Sequence, residues 1–157
     1  MSTRLTRKGT PMVESQSLKL ALGASQVNDL ISKYLSNALK EKGYKFASPS
    51  ALSFLSTLEC GVNYASEIAR NLGVSRQMAA KTVKELCLAG YLEQLDDVGK
   101  QKKIVFTQTG ELLMSDARQL LADMDKILNQ KLGNNVITTT VDNLNKIQTT
   151  IRKLSDG

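Results

Sequence analysis

Polar side chains that can recognise nucleic-acid bases follow one another at the start of a predicted helix. Ser75 is expected to cap this helix, because its hydroxyl can accept a hydrogen bond from an exposed amide of the first turn. The first turns then carry Arg76, Gln77, Met78 and Lys81. Arginine can bind guanine and glutamine can bind adenine through paired hydrogen bonds, each worth about 1 to 3 kcal/mol of discrimination. These residue types favour base recognition by a helix lying in the major groove.

Other residues of the same segment suit the nucleic-acid backbone. Ser75 and Lys84 are placed for contacts with phosphate oxygens, which fix the position of a protein without reading sequence. The alternative interpretation is a solvated polar face, since lysine and arginine on helices are mostly exposed to solvent. The sequence of this segment by itself leaves both interpretations open.

A short helix is predicted directly before this segment. Ile68, Ala69 and Leu72 fall on one helical face, and Gly73 can adopt the positive φ that ends a helix. Val74 is expected to pack inward. In the helix that follows, the packed face is predicted from spacings of three and four residues. Its members are Ala79, Thr82, Val83 and Leu86.

A basic hairpin is predicted after the second helix. The segment Ala89-Gly90-Tyr91-Leu92 ends the helix and leads into a strand that stops near Leu95, and residues 96–100 form a flexible tip. The return strand covers residues 102–107, with Ile104 and Phe106 on the same side. Residues 63–65 are expected to add a short strand to this sheet. Three lysines surround the tip and can follow the phosphate backbone or enter the minor groove. They are Lys100, Lys102 and Lys103.

Long helices are predicted on both sides of this unit. Residues 1–16 are polar and non-periodic, which is typical of a flexible basic arm, and a long apolar-striped helix covers residues 17–41. Ser48-Pro49 starts a helix that runs to about Cys60, and Thr107 caps another long helix. After a break at 133–135, the last helix carries an apolar seam. Its members are Ile137, Val141, Leu144, Ile147, Ile151 and Leu154. Such a seam needs a partner surface, either in the same chain or in a second copy.

Composition narrows the class of protein. The chain has 157 residues, a hydrophobic content of 41% and a net charge of 21 − 15 = +6. No apolar run approaches the roughly 20 residues that span a bilayer, and the first residues lack the apolar core of a secretory signal, so a cytoplasmic location is expected. The positive charge lies in residues 1–107, since residues 108–157 carry equal numbers of cations and anions. A basic face suits a polyanion, although many proteins are mildly basic without binding one.

The sequence predicts neither a metal site, nor a cofactor, nor catalytic residues. It contains no histidine, and Cys60 and Cys87 lack metal-binding spacing. There is no Gly-rich phosphate loop and no nucleophile with a neighbouring base, which argues against an enzyme. Both cysteines are expected to be reduced thiols that fill space, although Cys87 lies on the basic helix and a redox role is the alternative.

The order of these pieces resembles the winged helix-turn-helix of the multiple antibiotic resistance regulator (MarR) family. The resemblance depends on Glu67-Ile68-Ala69, Leu72-Gly73-Val74-Ser75-Arg76, Val83-Lys84-Glu85-Leu86, Ala89-Gly90-Tyr91-Leu92 and Phe106-Thr107-Gln108-Thr109-Gly110. It implies a mainly α fold with a small β-wing. It also implies a DNA-binding domain over residues 47–107 and a dimerisation region over residues 17–46 and 108–157.

The same resemblance implies a function. MarR-like proteins are homodimeric, double-stranded DNA-binding regulators, many of them ligand-responsive repressors, and two-fold symmetry predicts a near-palindromic operator. The chain departs from its relatives at Val98-Gly99-Lys100, where many carry an Asp-x-Arg pattern, so phosphate contact is favoured over minor-groove insertion. A winged-helix adaptor that contacts protein and not DNA is the alternative.

A small aromatic or anionic effector is the further partner that the resemblance implies. Aromatic residues can line a pocket between the dimerisation helices and the winged core, or they can be ordinary core residues. The candidates are Tyr34, Tyr44, Phe46, Phe54 and Tyr64.

Overall fold

The computed structural model describes residues 9, 14–97, 99 and 101–156. Within them the elements are α1 (Gln16–Glu41), α2 (Pro49–Glu59), α3 (Ala65–Leu72), α4 (Arg76–Leu88), β1 (Leu92–Asp96), β2 (Lys102–Phe106), α5 (Gln108–Leu132) and α6 (Val136–Asp156). This order confirms the predicted fold class, which is mainly helical with a small antiparallel hairpin. Most of the predicted arm over residues 1–16 lies outside the described residues.

Hydroxyl side chains begin four of the helices. Ser48 Oγ accepts from the amide of Ala51 at 3.2 Å, and Ser75 Oγ accepts from the amide of Met78 at 3.0 Å. Thr107 and Ser15 cap α5 and α1 in the same way, at 3.1 and 3.2 Å. Each hydroxyl satisfies an amide that has no partner within its own helix. The predicted starts at residues 48, 75 and 107 are therefore confirmed.

The core lies inside the compact unit formed by the end of α1, α2, α3, α4, the hairpin and the first half of α5. The largest side chains with less than 2% exposure are Phe54, Leu39, Leu55, Ile68, Leu86, Ile104 and Leu113. They come from six different elements, so this core holds the short helices and the hairpin in fixed relative positions.

Two sequence predictions about this unit are wrong. Residues 63–65 form no strand, because Tyr64 is already the N-cap of α3 and Ala65 is its first helical residue. Only the backbone of Asn63 is left to pair with a strand of the hairpin. Val74 does not pack inward either, and its side chain is 40% exposed. It lies in the three-residue turn between α3 and α4, where the chain crosses the surface between two helices.

The long helices leave apolar surface uncovered. In α6 no residue is buried, although its seam recurs at helical spacing as predicted. The helix α1 also exposes large apolar side chains, among them Leu22 and Leu30, with 57% and 69% exposure. A shallow apolar groove of about 610 Å³ lies between the two helices. The apolar residues lining it are Leu20, Ala21, Ala24, Leu144, Ile147 and Ile151.

Candidate nucleic-acid interface

The basic helix α4 is positioned by the turn that precedes it. Gly73 ends α3 in the left-handed region at φ 68°, and its amide donates to carbonyls of the last turn of α3. The following residues reverse the direction of the chain, and Ser75 then caps α4. Ala79, Val83 and Leu86 are buried against the core, with exposures of 1 to 3%. One face of α4 is therefore fixed, which also fixes the direction of the opposite face.

The residues expected to contact nucleic acid lie at the start of α4 and on its remaining surface, and all of them are exposed. They are Ser75, Arg76, Gln77, Met78, Lys81 and Lys84. Among the described residues, an ion pair joins Arg118 to Glu59 on another surface. Arg76, Lys81 and Lys84 of α4 form no ion pair with a described residue. The first turn of α4 contains no acidic residue. The positive end of the helix dipole and the guanidinium of Arg76 therefore add at the same place, where an anion would be attracted.

The hairpin places its lysines beside opposite charge and apolar surface. In the register of the antiparallel pair, Lys102 lies opposite Asp96 and Lys103 lies opposite Leu95, and both lysines are exposed. Opposite charges across a strand pair attract, so part of the charge of Lys102 is compensated. The third predicted lysine, Lys100, lies outside the described residues.

Asn63 attaches the middle of β2 to the preceding connector. The amide of Ile104 donates to the backbone oxygen of Asn63 at 2.8 Å, and Asn63 Nδ2 donates to the backbone oxygen of Ile104 at 3.3 Å. The two residues are 41 positions apart, and nothing in their sequence surroundings indicates this pairing. The predicted strand placed the chain correctly beside the wing but assigned three residues to a contact that one residue makes.

Tyr64 contacts the hairpin at the residue directly after β1. Its hydroxyl donates to the carboxylate of Asp97, 33 positions later in the chain. This hydrogen bond, followed by desolvation and the negative charge of Asp97, raises the pKa of the Tyr64 phenol above its usual value. Sequence reasoning missed the pair, because a tyrosine before a helix and an aspartate in a turn are individually common.

The residues proposed to line an effector pocket occupy several environments. Phe54 is a core residue with 2% exposure, whereas Tyr34 and Phe46 are 44% and 56% exposed. Tyr44 is half-buried, and its hydroxyl donates to Asp116 Oδ2 at 2.6 Å. Tyr64 belongs to the hairpin attachment. Within this single chain they do not surround one common space, and their role in binding an effector stays a prediction.

An open groove of about 730 Å³ lies between the end of α2 and the first half of α5. Leu58, Phe106 and Leu112 provide its apolar lining, and the ion pair between Arg118 and Glu59 lies at its edge. None of the five predicted aromatic residues lines this groove.

The two cysteines are free thiols in different surroundings. Cys60 is exposed, whereas Cys87 is half-buried on α4. Burial, with a smaller contribution from the charge of Glu93, raises the pKa of the Cys87 thiol. A raised pKa means less thiolate at neutral pH, which disfavours reaction with oxidants.

The described part of the chain contains no group of three or more side chains that could hold a metal ion. Among the described helices, none combines the length and the apolar character that a membrane span requires.

A short helix, a tight turn, an exposed basic helix and an attached two-stranded hairpin together define a winged helix-turn-helix protein. Searches of the sequence against protein-family models and curated proteins find no match. Solved structures do match. A MarR transcriptional regulator from Methanosarcina mazei Go1 has a TM-score of 0.73 at 16% identity, over 88% of this chain and 99% of that chain.

Two other solved structures show the same similarity. A MarR-family transcriptional regulator from Rhodococcus sp. RHA1 has a TM-score of 0.66 at 20% identity, over 86% of this chain and 96% of that chain. MepR, a transcription regulator of the Staphylococcus aureus multidrug efflux pump MepA, has a TM-score of 0.62 at 14% identity, over 88% and 99% of the two chains. The chain therefore has the winged-helix fold of the MarR transcriptional regulators.

Proposed function

We propose that this chain is a sequence-specific, double-stranded DNA-binding transcriptional regulator of MarR type. The observation that carries the proposal is the exposed, unpaired basic face of α4 on a helix whose other face is fixed in the core. Arg76, Gln77 and Lys81 contact base edges in the major groove, with Met78 beside them. Ser75, Lys84 and the wing lysines contact phosphates, and these contacts supply the salt-dependent part of the affinity.

The functional unit is a homodimer. Val141, Ile151 and Leu154 of the α6 seam and large apolar side chains of α1 are exposed in the single chain, and apolar surface of this kind is typical of a protein interface. A second copy can cover the apolar surfaces of α1 and α6 at once, because a two-fold axis brings the same surface of both copies together. The dimerisation region then covers residues 17–46 and 108–157, and residues 47–107 form the DNA-binding domain.

A two-fold dimer presents two copies of α4 to one side of a duplex. Recognition helices in such dimers are about 34 to 36 Å apart, which corresponds to one turn of DNA. The operator is therefore a near-palindrome whose half-sites are separated by one helical turn. Repression and release by a small aromatic or anionic effector complete the proposed role, in the cytoplasm. The similarity of the fold to MepR and to the other regulators supports a role in the regulation of transcription.

Selection of bound fragments from a random duplex library tests this function. The full-length protein is expected to enrich a near-palindromic motif, with half-site centres about 10 base pairs apart. The matched control is the double variant Arg76→Ala, Gln77→Ala, which should keep its thermal stability and lose the enriched motif. Recovery of direct repeats only, or of no motif, would contradict the proposal. Weak binding to every duplex at low salt would instead support the protein-contacting adaptor.

A further inference from the structure

The position of the hairpin relative to α4 depends on a few attachments. Its sheet has two strands in the described part of the chain, and an isolated two-stranded hairpin is marginally stable in water. In the middle of β2, Ile104 is buried in the core. Towards its tip the strand residues are exposed, so apolar burial does not hold that end.

The connector between α2 and α3 provides attachments at two places along the hairpin. Asn63 makes two hydrogen bonds with Ile104 in the middle of β2, at 2.8 and 3.3 Å. The next residue, Tyr64, donates to Asp97 directly after the last residue of β1. Two consecutive residues therefore contact the middle of the hairpin and the far end of β1.

The backbone of Tyr64 is itself firmly placed. Its carbonyl oxygen accepts from the amides of Glu67 at 3.1 Å and Ile68 at 3.0 Å, so Tyr64 is the N-cap of α3. The side chain of Ile68 is completely buried, which anchors this helix in the core. Because α3 packs against α4, a contact from Tyr64 to the far end of β1 relates that end to the basic helix.

The chemistry of the pair suits such a role. A phenol hydroxyl donating to a carboxylate is a charge-assisted hydrogen bond, which is stronger than one between two neutral groups. Neither residue was among the expected DNA contacts.

We propose that Tyr64 and Asp97 are a positioning pair that holds the far end of β1 in a fixed place relative to the recognition helix α4. The consequence for DNA binding rests on the proposed function, since a fixed wing reaches the backbone without first losing conformational freedom. The pair contacts no base and acts through the wing lysines, so its loss weakens the wing contribution and leaves base preference at α4 unchanged.

The first test uses the full-length protein without DNA. Tyr64→Phe removes one hydroxyl, and Asp97→Asn keeps the size of the side chain while removing its charge. Both variants are expected to increase hydrogen exchange of the β1 and β2 amides about tenfold, as the loss of one charge-assisted hydrogen bond predicts, with unchanged exchange in α2 and α5. The effect of the double variant should be smaller than the product of the two single effects, because the two groups act together. Tyr34→Phe, at an exposed tyrosine of α1, is the matched control.

The second test measures binding to the selected duplex and to a random duplex over a range of salt concentrations. Each variant of the pair should bind both duplexes about three- to tenfold more weakly, with a shallower salt dependence and the same ratio of specific to random affinity. Unchanged hairpin exchange in both single variants would overturn the positioning role. Faster exchange together with wild-type affinity and salt slope would overturn its consequence for DNA binding. Faster exchange in a protein that binds no duplex would refute the proposed function and retain the positioning role.

Discussion

The hydroxyl of Tyr44 donates to Asp116 Oδ2 at 2.6 Å and joins the loop after α1 to the middle of α5, 72 positions later. The ring of Tyr44 also lies against that of Tyr91, with centroids 6.3 Å apart. Tyr91 in turn donates to the backbone oxygen of Lys45 at 2.6 Å. This cluster connects the long helices with the start of the wing, so the two predicted regions are coupled through hydrogen bonds as well as through the core.

Replacing Tyr44 by phenylalanine removes the bond to Asp116 and keeps the ring contact with Tyr91. We expect a loss of about 1 kcal/mol in the free energy of unfolding at pH 7, because the acceptor of the lost hydrogen bond is charged but the site is only partly buried. Urea unfolding followed by circular dichroism measures this loss. Tyr34→Phe, at an exposed tyrosine, should change stability by much less. Equal effects of the two substitutions would argue against a stabilising role of the bond.

Alkaline pH should weaken the same contact. The bond to Asp116, with burial and the neighbouring charge as smaller causes, raises the pKa of Tyr44 from 10.0 to about 12. The folded state therefore keeps this proton when the unfolded chain has lost it. The stabilisation is complete below pH 10 and is lost as the pH rises from 10 to about 12. Unfolding curves of the wild type and Tyr44→Phe should converge across this range, and a constant difference between them would contradict the assignment.

Gly110 allows the first turn of α5 to approach the start of the wing. A Cβ at this position would lie 2.0 Å from the backbone oxygen of Tyr91. Gly110→Ala should therefore destabilise the fold by about 3 kcal/mol or more, since backbone must move to relieve the overlap. Gly23→Ala is the matched control, because its Cβ meets no atom within 4 Å in the middle of α1. That substitution should stabilise the protein by up to about 1 kcal/mol. Thermal unfolding of the two variants distinguishes them by sign.

Two residues of α4 should affect DNA binding differently. Arg76→Ala is expected to reduce base preference by about 1 to 3 kcal/mol at one position of the half-site. Lys84→Ala should weaken binding to all duplexes and reduce the salt slope by about one for each copy of the helix. Competition titrations with specific and random duplexes measure both quantities, and Lys146→Ala on α6 serves as the control. Parallel losses on specific and random DNA for both α4 variants would contradict the division of roles.

The uncovered seam of α6 predicts the oligomeric state. Ile151 is 53% exposed in the single chain. Ile151→Glu should shift a dimer towards monomer, because burial of an unpaired carboxylate in an apolar interface is costly. Thr149→Glu introduces the same charge at a position outside the seam and should leave the dimer intact. Sedimentation equilibrium over a range of concentrations provides the measurement, and a monomeric wild type would remove the basis for the proposed dimer.

Local signals explain most of what could be predicted about the fold. Ser48, Ser75 and Thr107 begin helices because their hydroxyls cap amides three residues away, and Gly73 ends one because it adopts φ 68° without a steric penalty. The exposed face of α4 followed from spacing in the same way. The incorrect strand at residues 63–65 shows the limit of this reasoning, since the start of α3 and the pairing with the wing compete for the same residues.

The sequence alone therefore determined the order and kind of the elements and the residues presented by α4. These properties depend on contacts between residues three or four positions apart, which the amino-acid pattern records directly. Only the tertiary structure decided which residues attach the wing and which connect it to the long helices. The pairs Asn63 with Ile104, Tyr64 with Asp97 and Tyr44 with Asp116 span 41, 33 and 72 positions. Such hydrogen bonds exist only after the chain has packed, because common polar residues carry no local mark of their distant partner.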